Sequence, residues 1–145
     1  MRVYPGLAVY KTLLIKNPDQ EIALATMEIL FRKGFFEVML FGIHLLAQLP
    51  DPFPTIRPVL KMSSRSEYLP GSQEVIEDSP NCYALNTYRC YILETLKAYD
   101  AAELTGLFCK TDDWLTEALP RITWERTKTL ARGDDFCNFR WSRQI

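Results

Sequence analysis

What this chain has little of narrows its reading first. There is one histidine, His44, and there are four cysteines, Cys82, Cys90, Cys109 and Cys137, in 145 residues. No two cysteines form a C-x-x-C pair, so a zinc ribbon is not expected. Net charge is only −1, with acidic and basic residues interspersed. That gives no electrostatic case for nucleic acid or for an anionic membrane. The apolar stretch Val38 to Leu49, interrupted only by His44 and Gln48, is shorter than the roughly 20 residues a membrane-spanning helix needs. No basic–apolar–small-residue leader opens the sequence, and a cytoplasmic protein with reduced thiols is the expectation. The length suits one domain, residues 1–145, large enough to bury a core without staples.

What is present reads as helices first. Tyr4 to Ile15 is largely apolar and expected to be a short helix. Asn17 can cap a second helix, with Pro18 at its first position and Gln20 reaching back. That helix should run to about Leu49, where Pro50, Pro52 and Pro54 stop it. Ile22, Ala25, Ile29, Phe36, Leu40, Ile43 and Ala47 mark its apolar stripe, with a bend or split at Gly34. Its second half belongs in the core or, second in order, in a partner interface such as a homodimer's. His44 is read as a satisfied core residue ahead of a catalytic one. Pro50 to Pro80 lacks periodicity and is expected to be an excursion with one short strand near Gln73–Glu77. It is read as a surface connection or a lid.

From Asn81 the pattern changes. Cys82 to Tyr88 resembles a strand, Arg89-Cys90 opens a helix to about Tyr99, and Ala101 to Phe108 forms another. Cys109 and Asp112 follow, three apart, so on a helical turn they face the same way. That spacing lets a thiolate and a carboxylate meet a metal, or a carboxylate act as base beside a thiol. Ile122 to Leu130 alternates like a strand, placing Ile122, Trp124, Arg126, Lys128 and Leu130 on one side. Arg132 to Asp135 has turn chemistry, and Phe136 to Trp141 should return as the second strand of a hairpin. Two cations among apolar neighbours point to solvent or to an anionic ligand, because an unpaired buried charge is costly. The fold class is α+β, with N-terminal helices on an antiparallel sheet.

Several of these residues together carry a resemblance. They are Arg89-Cys90, Glu103-Leu104 before Cys109-x-x-Asp112, Trp124 to Leu130, and Gly133-Asp134-Asp135-x-Cys137-x-Phe139-Arg140. The combined pattern resembles the L-2-amino-thiazoline-4-carboxylic acid hydrolase family, most strongly from Asn86 to Trp141. More remotely it is similar to small-molecule-binding domains of the vinyl-reductase type, which implies helices on an antiparallel sheet with a ligand pocket between. The resemblance implies a small-molecule substrate and hydrolysis of a cyclic amidine acid to N-carbamoyl-L-cysteine. It implies Asp112 as base, with Cys109 and Cys90 as catalytic thiols. Substrate would meet Arg126, Lys128, Cys137 and Arg140. Cys90, Cys109, Asp112 and Cys137 are the candidate ligands of a divalent metal such as zinc. Some zinc-holding relatives place a cysteine eight residues before the last, where this chain has Thr129, so that site does not carry over whole. Cys82 is expected to be peripheral. Beside this stands a plainer reading, in which the cysteines are small buried hydrophobes and the pocket binds a ligand without catalysis.

Overall fold

The computed structural model describes residues 3–66, 71–119 and 121–144. Helix α1 (Val3–Lys16) buries Val3, Leu7 and Tyr10, which recur at four- and three-residue steps. Helix α2 (Gln20–Leu30) starts on Asp19, whose carboxylate accepts from the backbone N–H groups of Glu21 and Ile22. Asn17, the expected cap, instead accepts from the N–H of Asp19, one step before the helix. The split expected near Gly34 is a π-helical segment, Phe31–Phe36, leading directly into α3 (Glu37–Ala47).

Two clusters divide the core. One gathers Leu7, Tyr10, Met27, Leu96, Leu104 and Phe108 where α1 and α2 meet α5 (Tyr91–Ala98) and α6 (Thr105–Glu117). The stripe expected on α2 has the wrong phase: Ala23 and Met27 are buried, while Ile22 and Ile29 are exposed. Packing on α1 and α6 selected the neighbouring face, which periodicity alone could not distinguish. The second cluster, built on Phe53, Ile56, Tyr83, Leu85, Ile122, Phe139 and Trp141, takes Ile43, Leu46 and Ala47 from α3. Other described side chains of α3 are not core as expected: Phe41 is 69% and Leu45 54% accessible, and His44 is exposed. The side chain of Phe36 lies outside the described residues.

The 50–80 segment is not a structureless excursion. Helix α4 occupies Phe53–Ser66, with Phe53, Ile56 and Leu60 turned to the second cluster. Pro50, Pro52 and Pro54 follow the end of α3 as expected, and Pro54 also sits in the first turn of α4, where no N–H is required. Pro58 lies inside the helix and leaves one backbone bond unmade. Residues 67–70 of the segment lie outside the described residues.

Strands β1 (Gln73–Asp78), β2 (Cys82–Thr87), β3 (Ile122–Glu125) and β4 (Cys137–Arg143) form an antiparallel sheet in the order β1-β2-β4-β3. Alternation along β4 sends Cys137, Phe139 and Trp141 to the helix-packed face. Asn138, Arg140 and Ser142 take the opposite face, opposite Asn86, Ala84 and Cys82 of β2. The strand expected over 122–130 ends at Glu125. Beyond it, Asn138 Oδ1 accepts from the N–H groups of Thr127 (3.0 Å) and Lys128 (2.6 Å). Side-chain bonds, with one backbone bond from the Asn138 N–H to the Lys128 carbonyl (3.3 Å), thus replace a ladder, and the chain turns through a short 3-10 segment, Leu130–Arg132. Gly133 closes that turn at φ 93°, a conformation in which a Cβ would be strained.

Candidate functional site

Helix α6 and the segment after β3 meet at Arg126. Its Nη1 donates to Asp112 Oδ2 at 3.0 Å, and its Nη2 donates to both oxygens of Asp113 at 2.8 and 3.0 Å. The same Nη2 also reaches the carbonyl of Cys109 at 3.1 Å. The Arg126 side chain is only 8% exposed, whereas those of Asp112 and Asp113 are 36% and 39% exposed. The guanidinium lies 5.5 Å from the Trp124 ring centroid and 5.9 Å from that of Phe139. A buried cation is tolerable here because two carboxylates, a carbonyl and two aromatic rings replace its water. The indole N–H of Trp124 donates to Asp113 Oδ1 at 2.9 Å, fixing that carboxylate from a second side.

Helical spacing turns Cys109 and Asp112 toward this junction together, as the sequence implied. Cys109 Sγ lies 3.9 Å from Thr129 Oγ1. Burial, partly offset by the nearby Arg126, pushes its thiol up to about 11. Cys137 Sγ accepts from the N–H of Leu130 at 3.2 Å. Cys90 caps α5 by accepting from the N–H of Leu93 at 3.5 Å, and burial raises its thiol as well. Cys90 and Cys109 both lie within electrostatic reach of Cys137 and Asp112. Cys82 stands on the other face of the sheet beside Ser142.

Two expected substrate contacts stand elsewhere. Arg140 projects from the opposite face of β4 and pairs with Glu77 at 3.0 Å. Alternation explains this, since Phe139 and Trp141 already point inward. Lys128 is exposed, with its ammonium 4.7 Å from the Phe136 ring centroid. Arg126 is at the junction, but both terminal nitrogens already donate within the chain. A substrate carboxylate would therefore compete with two aspartates.

The four candidate metal ligands are not gathered into one cluster. Among the described residues no three His, Cys, Asp or Glu side chains are grouped as a metal requires. Asp112 is drawn to Arg126, and the Cys137 sulfur receives a backbone N–H.

Sequence reading missed Asp113, Thr116 and Glu117. With Leu119, Ile122 and Trp124 they line an open cleft of about 400 Å³ between the C-terminal half of α6 and β3. The Asp112-Asp113 doublet was the available signal, because one guanidinium can span adjacent carboxylates. No helix among the described residues is long and apolar enough to cross a membrane.

The model of the L-2-amino-thiazoline-4-carboxylic acid hydrolase family matches residues 2–141. Neither a curated protein nor a solved structure matches the chain. The match spans both the helices that carry Cys90, Cys109 and Asp112 and the strands that frame Arg126. The chain belongs to the L-2-amino-thiazoline-4-carboxylic acid hydrolase family.

Proposed function

We propose that this chain hydrolyses a small cyclic amidine acid of the aminothiazoline carboxylate type, with Asp112 as the proton-transferring group. The observation that carries the reading is the carboxylate pair Asp112–Asp113, held by a buried arginine and still more than a third exposed. A general base needs that combination of fixed aim and access. Asp112 takes a proton as water attacks the ring carbon lying between nitrogen and sulfur. The carbon–sulfur bond then breaks and sulfur leaves with the bonding pair. With the amidine entering as its cation, the ring nitrogen already carries its proton; one proton of water passes by way of Asp112 to the departing sulfur and the other is released to solvent, giving an N-carbamoyl amino acid with a free thiol. Arg126 orients Asp112 and Asp113. The Cys109 thiol, held near 11, is protonated at neutral pH, so direct nucleophilic attack by it is not part of this reading.

A second reading, a non-catalytic binding module, draws on the same thiols, since the sulfurs of Cys90 and Cys137 are engaged by backbone N–H groups. Incubating the chain with L-2-amino-thiazoline-4-carboxylate and following ring opening by NMR separates the two. Turnover is expected, with kcat lowered roughly 10²–10⁴-fold in Asp112→Asn. Tight binding without turnover would favour the binding module.

A further inference from the structure

We propose that Trp124 is the specificity-determining residue of this site, receiving the planar ring of the substrate in the cleft between α6 and β3. The inference rests on the cyclic-amidine reading above and names the surface that would select such a ring. Trp124 is held on three sides before any ligand arrives. Its N–H is bonded to Asp113, its ring centroid lies 4.7 Å from that of Trp141, and Arg126 stands 5.5 Å away. It remains half-buried and lines the cleft. Preorganisation of this kind reduces the entropy lost on binding.

The chemistry of the cleft is one-sided. Its described walls offer an indole, two carboxylates (Asp113, which Arg126 holds, and Glu117), a threonine hydroxyl, and the aliphatic side chains of Leu119 and Ile122. A flat ring with a delocalised positive amidine edge matches each part. Its face lies against indole and aliphatic carbon, and its N–H groups meet carboxylate oxygen. Among the described residues Asp113 Oδ2 accepts from Arg126, whereas Oδ1 accepts from Arg126 and Trp124. Asp112 shares Arg126 with Asp113, so a ring seated against Trp124 and Asp113 lies beside the proposed base. The volume, about 400 Å³, falls in the range of small-molecule sites.

The test uses tryptophan labelled at the indole nitrogen, with L-2-amino-thiazoline-4-carboxylate and the bare ring 2-amino-2-thiazoline as probes. The Trp124 indole signal, assigned from its loss in Trp124→Phe, should shift with both probes. Trp124→Leu should weaken binding at least about tenfold and raise KM more than it lowers kcat. If that variant does not fold, Trp124→Phe keeps a ring while losing the N–H and should weaken binding by a smaller factor. Glu117→Gln should weaken the cationic probe 2-amino-2-thiazoline more than the neutral analogue thiazolidin-2-one. A shifted Trp124 signal without turnover retains the inference and removes the catalytic reading. Turnover with an unmoved signal, or with unchanged KM in a folded Trp124→Leu, overturns the inference and leaves catalysis standing. No response of the indole to either probe also overturns it.

Discussion

Replacing Arg126 by methionine keeps an unbranched side chain of similar reach and removes the guanidinium. The wild-type group donates to Asp112, to both oxygens of Asp113 and to the Cys109 carbonyl, and it stands near two aromatic rings. Removing one partner of a fully buried ion pair costs about 3–5 kcal/mol, mostly through the uncompensated charge left behind. Here the abandoned carboxylates are 36% and 39% exposed, so water rehydrates them and the cost is smaller. Lost ring contacts add about 0.5–1 kcal/mol each at partly exposed sites. The expected destabilisation is about 2–3 kcal/mol. Urea unfolding should register it as a lower midpoint at unchanged slope, by about 1 M for the usual urea slopes of roughly 1–3 kcal/mol/M. Arg126→Lys keeps the charge but loses the fork and should fall between wild type and Arg126→Met. Arg89→Met provides the control, because its pair with Glu94 is exposed on both sides (63% and 44%) and surface pairs contribute little. A loss of under about 0.5 kcal/mol in Arg126→Met, no larger than in the control, would refute the idea that this arginine organises the junction.

The remaining expectations concern the same region. Cys109 has its thiol raised from 9.0 to about 11, so its folded pKa exceeds the unfolded one. Its contribution is therefore present in full below pH 9 and is lost as pH rises through 11. Wild type should lose about 2–3 kcal/mol more than Cys109→Ala across that window by urea unfolding, since each unit corresponds to about 1.4 kcal/mol; parallel curves would contradict the burial. Gly133→Ala places a Cβ at φ 93° and should cost about 1 kcal/mol, with a small change at most in substrate affinity. Equal stability by thermal melting would show that the turn relaxes.

How much of this was legible depends on what each signal averaged over. The apolar run from Cys82 to Leu85 marked a strand buried on both faces, and alternation from Phe139 to Trp141 marked one buried on a single face, a local, period-two property. Gly133 and Asp134 were readable as turn residues; Asp134 Oδ2 accepts from the Thr129 N–H at 2.7 Å. Alternation past Glu125 misled, because Thr127 and Lys128 give their N–H groups to Asn138, a contact across ten or more residues. Counting prolines hid α4, since their effect depends on position in the first turn rather than on number. Within the site, Cys109 and Asp112 were legible from spacing on one helix. The partner chosen by Arg126 was not, because an arginine among apolar residues looks the same whether it awaits a ligand or already holds two aspartates. Asp113 escaped notice because adjacent helical residues diverge in direction, and only a forked cation brings both into one contact.

The outer strand β1 carries a consequence for how molecules of this protein meet one another. Val75 and Ile76 are both exposed there, and the pairing with β2 slips between Val75 and Glu77. An exposed strand with adjacent aliphatic residues would ordinarily invite a neighbouring chain to continue the sheet. The extra residue bends the strand and breaks the regular row of donors and acceptors such a neighbour would need. Beyond the bend, Arg57 and Lys61 of α4 clasp Asp78 and place charge against the same border. At the opposite border, β3 has only four residues, too few to align a visiting strand well. The sheet can therefore keep greasy residues in water at its rim without offering them as a template for polymerisation.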